Sequence, residues 1–532
     1  TTPATTTKQS SQPCPLLLNL KINHRTDCQQ TLFFSHRLPI CPAMGILHSM
    51  SQTIEPVPFS RYRNIVDDWN AFQDSIKRPL PVTLWTNSLK ITPEQLQHSL
   101  QQANLTPAPI SWYPGAFRLP PNVKPGHQWQ FMAGLYQVQE EVAMLPVCLL
   151  DPQPGERVLD LCAAPGNKTA QIAVAMRNTG TVVANDRNPG RMQATRQTLN
   201  RLGLVNVTTT TYDAANFPRE AGQFDRVLAD VPCSCEGTCR KGSGPITSAT
   251  EAEIRTLTGT QLAILRKAVQ LCRPGGRIVY ATCTFAPEEN ELVVDTVLAE
   301  FGEAIQVVPV ADVGLRMAAG VTEWNGRSLH PSLAHTRRIW PHQNDTGGFY
   351  VAVLAKTKET HQTVPPTYTP LPPHTTEEPT PWLNIVCARF GIPPQKFAPF
   401  RIIRRSRRGV YLLNRDHLPP ARPNPDACGM FFMRTDGRFP KLTTAAALFC
   451  GHWATQNFIP LTPEQIYPFL TRQDIRLTPA QTTHCTGQGY VIARFANHPL
   501  GIGIYLPPAN GQPALLRSLF PKAWANMITK QG

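Results

Sequence analysis

A chain of 532 residues with 51 Lys/Arg against 36 Asp/Glu, net charge +15, is too long for a single hydrophobic core, so about three units are expected. Its 14 cysteines are too sparse for a dense disulfide framework, and no apolar run reaches membrane-spanning length. Those two facts exclude a small disulfide scaffold and a helical membrane protein, and no membrane partner is expected. The charge is uneven: residues 382–532 hold 18 Lys/Arg against 5 Asp/Glu, residues 1–149 hold 11 against 8, and the middle is near neutral. A basic tail beside a near-neutral centre suits a phosphate-backbone partner, the plainer alternative being a merely solvated basic surface.

In chain order, residues 1–50 are rich in Thr, Ser, Pro and Gln without helical or alternating periodicity. They are expected to form a disordered leader. Residues 51–150 carry a mixed pattern: a helix is predicted over 65–76, a strand over 82–86 and a helix over 93–103. Thr92 suits the N-cap of that last helix, with Glu94 in its first turn. A small α+β module is the expectation.

Residues 151–355 alternate strand and helix signals, which requires an α/β fold with a mainly parallel sheet covered on both faces. The most informative stretch is Val158-Leu-Asp-Leu-Cys-Ala-Ala-Pro-Gly-Asn-Lys-Thr-Ala170. An apolar strand enters a turn at Pro165 and Gly166, and a helix follows from Lys168. This order puts backbone N–H groups and a close-approach glycine at the carboxyl edge of a parallel sheet, where open α/β folds bind nucleotides; a side chain at 166 is expected to intrude on the ligand. No G-x-G-x-x-G opens the helix, which argues against a nicotinamide coenzyme and for another adenosine ligand. Gly166-Asn-Lys-Thr ends like a triphosphate loop, but the required earlier glycine is missing, so Lys168 is assigned to the cofactor loop.

Later strands end in acids or thiols. Residues 181–186 read as a strand closing on Asp186, whose carboxylate can accept both ribose hydroxyls of an adenosine cofactor. Asp213 is a third strand-end acid. Asp230 is a fourth and runs directly into Val-Pro-Cys233-Ser-Cys235, and a strand over 276–282 ends at Cys283. Chemistry at these cysteines requires free thiols and a reducing compartment, so a cytoplasmic protein is expected. Cys148, Cys162 and Cys272 read as small buried hydrophobes. Cys233, Cys235 and Cys239 can also be read as a zinc cluster, but no second ligand pair accompanies them and no metal is expected. His330, His335 and His342 read as surface or packing histidines.

Residues 356–381 are Pro/Thr-rich without apolar periodicity and read as a linker. In the tail, 382–532, the stretch Arg401-Ile-Ile-Arg-Arg-Ser-Arg-Arg-Gly-Val-Tyr411 interleaves bases with apolar residues, as a strand or helix docked on RNA phosphates would. Residues 489–505 read as a β-hairpin of a small barrel.

The motifs Asp-Leu-Cys-Ala-Ala-Pro-Gly-Asn-Lys-Thr, Asp-Val-Pro-Cys-Ser and Tyr-Ala-Thr-Cys-Thr together resemble the RNA 5-methylcytosine methyltransferases of the Nop/Sun (RsmB/RsmF-like) group, over roughly residues 79–354. The resemblance implies a Rossmann-like domain binding S-adenosyl-L-methionine through Cys162, Ala163, Ala164, Pro165, Gly166, Asn167, Lys168, Asp186, Asp213 and Asp230. For residues 51–150 it implies an RNA-holding module, and for the tail a PUA-like RNA-binding domain like that of the bacterial ribosomal-RNA members. Carbon 5 of cytosine is too weak a nucleophile to take a methyl group unaided, and a thiolate adding at carbon 6 supplies the missing electron density. Chemistry alone leaves Cys233 or Cys283 for that task. The resemblance implies Cys283 as nucleophile, Cys233 in product release, and Asp230 against cofactor and base. Two positions depart from the group: Cys235 stands where it usually has glycine, and Trp85 where it tends to have an arginine. The substrate implied is ribosomal RNA, in particular 16S RNA of the small subunit, and the protein is expected to be a monomer. Transfer RNA is the alternative substrate, and a non-catalytic RNA-binding or assembly factor a third reading.

Overall fold

The computed structural model describes residues 57–242, 248–371, 381–406, 409–437 and 440–529. The expected leader, residues 372–380 of the expected linker, and Arg407 and Arg408 of the basic cluster lie outside the described residues.

The first module opens with α1 (Trp69–Ile76), which starts four residues later than the periodicity predicts because the Asp68 carboxylate accepts from the Ala71 N–H at 2.9 Å and caps it there. Strand β1 (Val82–Thr86) falls where predicted and pairs antiparallel with β2 (Ala116–Leu119) and β3 (Tyr136–Val138). Helix α2 (Pro93–Gln102) is capped by Thr92, with Gln95 closing a reciprocal capping box. Trp85 is 1% exposed and donates to Gln139 Oε1, so this departure from the family pattern is a core residue.

Next comes the Rossmann-like sheet. Its strands are β4 (Arg157–Asp160), β5 (Thr181–Asn185), β6 (Val207–Thr210), β7 (Phe224–Asp230), β8 (Cys272–Thr282) and β9 (Phe349–Lys356). The order β9-β8-β7-β4-β5-β6 is parallel from β8 to β6, with β9 antiparallel on β8. Alternation along the strands sends Val158, Val182 and Val279 to one face, against α3 (Asn167–Ala175) and α4 (Pro189–Leu202). Leu159, Val183 and Ile278 go to the other face, against α5 (Glu251–Leu271) and α6 (Glu291–Phe301). Burial on both faces is what a parallel sheet needs.

The tail packs directly against the central sheet. Its strands β10 (Phe400–Ser406) and β11 (Gly409–Asn414) make a hairpin, which resolves the strand-or-helix alternative for residues 401–411. Strand β12 (Ala427–Cys428) then pairs antiparallel with β6 and so extends the central sheet. His417, 1% exposed, meets Thr208 Oγ1 at 2.7 Å, Asp416 accepts from the Gly180 N–H at 2.8 Å, and Asp426 accepts from Thr211 Oγ1 at 2.6 Å. The described part of the expected linker is strapped down as well. Thr367 N–H donates to Glu220, Ala421 N–H donates back to Thr367, and the Tyr368 ring lies 5.1 Å from the Arg157 guanidinium.

Strands β13 (Gly489–Phe495) and β14 (His498–Leu506) form the expected hairpin within a five-stranded sheet. Beneath it, Leu84, Leu96 and Met132 of the first module share one apolar cluster with Ile459, Val491, Phe520 and Trp524 of the tail. The Trp129 and Phe495 rings meet edge-on at 5.0 Å. None of the described helices is long and apolar enough to cross a membrane.

Candidate active site

From β4 the chain winds outward through β5 to β6, then returns to the other side of β4 to lay down β7 and β8. The carboxyl ends of β4 and β7 therefore flank a topological switch point, where the loops part and leave a crevice. Strand register decides which side chains meet there. Asp230 is opposite Ala281 on β7 and β8, so the three residues to Cys233 and the two to Cys283 bring those thiols together. Their Sγ atoms are 3.5 Å apart, and Cys235 Sγ is 3.9 Å from Cys233 Sγ. Both motif cysteines are half-buried, and Cys235 is exposed. Cys239, included in the zinc reading of the sequence, packs instead against an apolar cluster around Phe285 and Trp340.

The cysteine turns are clamped from behind by two carboxylates. Glu289, 0% exposed, accepts from Ser234 N–H (3.0 Å), Ser234 Oγ (2.5 Å) and Gln261 Nε2 (2.7 Å). Glu236 accepts from Tyr62 OH (2.7 Å) and Thr284 Oγ1 (3.2 Å), and burial raises its pKa. Gly237 N–H donates to the Cys283 carbonyl at 2.8 Å, so the two loops are tied by backbone as well. Contacts with Cys233 and then Cys283 favour the Cys235 thiolate and pull its pKa down. The same contacts push Cys233 up. At Cys283, contact with Cys233 favours the thiolate, but contact with Cys235 together with burial outweighs it and holds the thiol above its ordinary value.

The loop after β4 lies beside this cluster. Lys168, at the start of α3, bonds Asp230 Oδ2 at 2.7 Å. Burial opposes its ammonium, but the Asp230 charge and hydrogen bond outweigh that and raise its pKa. Gly166 sits at φ +99°, and a Cβ there would come within 2.8 Å of Thr195 on α4. The left-handed backbone and the packing against Thr195 each require glycine here, beside the expected closeness to ligand. The Asn167 amide is turned to the first module, accepting from Gln137 Nε2 at 2.8 Å. Cys162 is half-buried, its thiol raised by burial, while Ala163 and Ala164 are buried. Ala163 N–H donates to Asn185 across the strand ends, and the turn continues through Pro165.

Asp186, 4% exposed, accepts from the Asn188 N–H at 2.9 Å and the Ala164 N–H at 3.3 Å, and lies 3.4 Å from Arg191. Asp213 stands three residues beyond the last residue of β6, exposed, where it caps a short turn at Ala215.

Sequence reasoning missed Asp160, Ser234, Glu236, Thr284 and Glu289. Asp160 ends β4 as Asp230 ends β7, so the strand-end rule would have found it. It is 1% exposed, accepts from Thr169 Oγ1 at 2.6 Å through Oδ2, and has no partner for Oδ1. Burial raises its pKa to about 7. A buried acceptor left open beside a nucleotide-type turn fits the ammonium or hydroxyl groups of an S-adenosyl amino acid.

Residues 147–355 match the family model of 16S rRNA methyltransferase RsmB/F, and residues 56–141 match that of the N-terminal domain of 16S rRNA methyltransferase RsmF. The chain is 31% identical over 451 residues to ribosomal RNA small subunit methyltransferase F of Aeromonas hydrophila, covering 81% of this chain and 90% of that one. The chain belongs to the RsmF-like branch of the Nop/Sun family.

The RsmF likeness covers more of the chain than the residues preceding the tail can supply, so it continues into the tail. Two further relatives share the catalytic region. A 28S rRNA (cytosine-C(5))-methyltransferase of Mus musculus is 37% identical over 292 residues, 54% of this chain and 36% of that one. The chain thus spans little more than a third of that relative's length. A tRNA (cytosine(49)-C(5))-methyltransferase of Pyrococcus abyssi is 34% identical over 297 residues, 56% of this chain and 94% of that one.

Proposed function

We propose that this protein transfers a methyl group from S-adenosyl-L-methionine to carbon 5 of a cytidine in small-subunit ribosomal RNA. The observation that carries the reading is the meeting of Cys233 and Cys283, 3.5 Å apart, beside the Lys168–Asp230 pair at the switch point. The bound cofactor supplies an electrophilic methyl group. Asp186 would hold its ribose, Asp213 its adenine edge, and Asp160 with the residue 162–168 turn its amino-acid end. Cys283 adds to carbon 6 of the cytosine as a thiolate, which shifts electron density to carbon 5. The Lys168 ammonium and its partner Asp230 face the same space and stabilise charge on the ring. After methyl transfer a base takes the carbon-5 proton, the carbon–sulfur bond breaks and Cys283 is released, with Cys233 assisting.

The first module and the basic tail are read as RNA-binding surfaces, the tail as a PUA-like domain. The tail's charge and its two small sheets support this. The eleven free cysteines among the described residues fit a reducing cytoplasm, and the protein is read as a monomer.

Incubating the full chain with methyl-labelled cofactor and, separately, small ribosomal subunits, naked 16S RNA and total transfer RNA tests this reading. Label as 5-methylcytidine in ribosomal RNA is expected. Label confined to transfer RNA would favour the activity named for the Pyrococcus abyssi relative, and no label in any RNA would leave a non-catalytic binding role.

A further inference from the structure

We propose that Cys233, Cys235 and Cys283 form a three-sulfur site for a thiophilic divalent cation of the zinc class. The three Sγ atoms lie within 4.8 Å of one another, with separations of 3.5 Å and 3.9 Å on the two sides of Cys233. Zinc–sulfur bonds of about 2.3 Å in tetrahedral geometry place sulfurs about 3.8 Å apart. Both separations at Cys233 lie within a few tenths of an ångström of that value, and the third, Cys235 to Cys283, closes to it with a shift of no more than about 1 Å. Soft thiolates select zinc-class cations over magnesium or calcium, and three protein ligands leave a fourth coordination position open.

A second observation points the same way. Cys235 sits at φ +58°, ψ +22°, a left-handed conformation that glycine adopts freely and side-chain-bearing residues rarely do. Strain of this kind concentrates at functional positions. Here the strained residue contributes the third sulfur, and it is the exposed one, which gives a cation a way in from solvent. Its thiol also lies 3.3 Å from the Cys233 carbonyl, a contact compatible with the thiolate turning to the cation. The site is rigid, since Gly237 N–H holds the Cys283 carbonyl and Glu289 holds Ser234 between the two loop cysteines. A cation with three thiolates carries one net negative charge, and Lys168, Lys241 and Arg191 all act on the cluster. Each thiol releases its proton to solvent as its sulfur binds, and no oxidant is involved.

Cation binding stands independently of the methyl-transfer reading. Its consequence rests on that reading: a cation held by Cys283 occupies the nucleophile, so cation binding and RNA methylation exclude one another. The cation then acts as a reversible lock that also shields the thiols.

The test uses the reduced full chain, zinc chloride and a chromophoric chelator as competitor, with X-ray absorption at the zinc edge. One zinc per chain bound through three sulfurs is expected. Cys235→Gly, which suits the backbone at that position, is expected to weaken binding at least tenfold, whereas Cys239→Ser is not. Zinc is expected to slow methyl transfer by the unmodified protein, and to slow Cys235→Gly only at correspondingly higher concentration. Equal zinc affinity and stoichiometry in the unmodified chain and Cys235→Gly overturns the site, as does zinc without sulfur ligands. Three-sulfur zinc binding that leaves methyl transfer unslowed upholds the site and overturns the role of Cys283.

Discussion

The carboxyl edge of the central sheet and its lateral edge at β6 are built by different rules. At the carboxyl edge most working residues stand within a few positions of a strand end, so motif and register together fix where they go: Asp160, Asp186, Asp230, Cys233 and Cys283 follow from β4, β5, β7 and β8. At β6 the contacts join residues more than two hundred positions apart, as in His417 with Thr208 and Asp426 with Thr211. The first edge keeps polar groups with capacity to spare, such as Asp160 Oδ1. The second uses polar pairs, buried at His417 and exposed at Asp426, to hold two parts of the chain together. Chemistry here is governed by local order, and cohesion by distant pairs.

Mutation can separate the two regions. The largest effect belongs to Cys283→Ala, expected to abolish methyl transfer while cofactor affinity persists, because the thiolate meets the base and not the cofactor. Cys233→Ala is expected to accumulate a covalent enzyme–RNA species, seen as a slowly migrating band on a denaturing gel. Near-normal turnover by Cys283→Ala removes it as nucleophile.

Next in size is the response of the β6 joint to acid. Burial lowers the His417 pKa from 6.5 to about 4, so the unfolded chain takes up this proton more readily than the folded one. The stability tied to neutral His417 is fully present above pH 6.5 and is lost as the pH falls towards 4. At about 1.4 kcal/mol per pH unit the loss approaches 3 kcal/mol. Hydrogen exchange of the Thr208 and Thr209 amides at pH 7 and pH 5 reports it. Identical protection at both values would mean that the joint is indifferent to this proton.

The smallest effect is Asp186→Ala. Removing charge-assisted hydrogen bonds to the cofactor ribose is expected to cost roughly 1.5–3 kcal/mol, one to two decades in affinity. Because Asp186 also accepts from the Ala164 and Asn188 N–H groups, part of the loss reflects a loosened turn. Calorimetry with Asp186→Asn alongside separates the two contributions, and unchanged affinity in both variants refutes the ribose role.

The legibility of the chain follows the same division. Strands at 82–86 and 224–230, the turn at Pro165-Gly166 and the hairpin of β13 and β14 could be read in the sequence because period, caps and turn residues are local signals. Both motif cysteines could be placed for the same reason. Glu289 and Glu236 were not legible, since nothing near them in sequence announces that their carboxylates will be buried under the cysteine loops. The tail was read as detachable because its charge and the preceding prolines resemble a boundary. Two residues, Ala427 and Cys428, suffice to join it to the sheet, too few for any periodicity to reveal. The packing reason for Gly166 was not legible, because Thr195, which a side chain there would meet, lies a whole strand and helix away.

The apolar cluster shared by the first module and the tail also bears on how the protein is made. Leu84, Leu96 and Met132 leave the ribosome long before Phe520 and Trp524, which complete their cover. At about 5–20 residues per second the interval is on the order of tens of seconds. During it the early module holds exposed apolar surface that residues of the tail later close. A nascent chain therefore passes through a stage in which the motif residues 158–283 have been synthesised but their N-terminal support is unfinished. Loss of Phe520 and Trp524 would therefore uncover Leu84, Leu96 and Met132, some four hundred residues earlier in the chain.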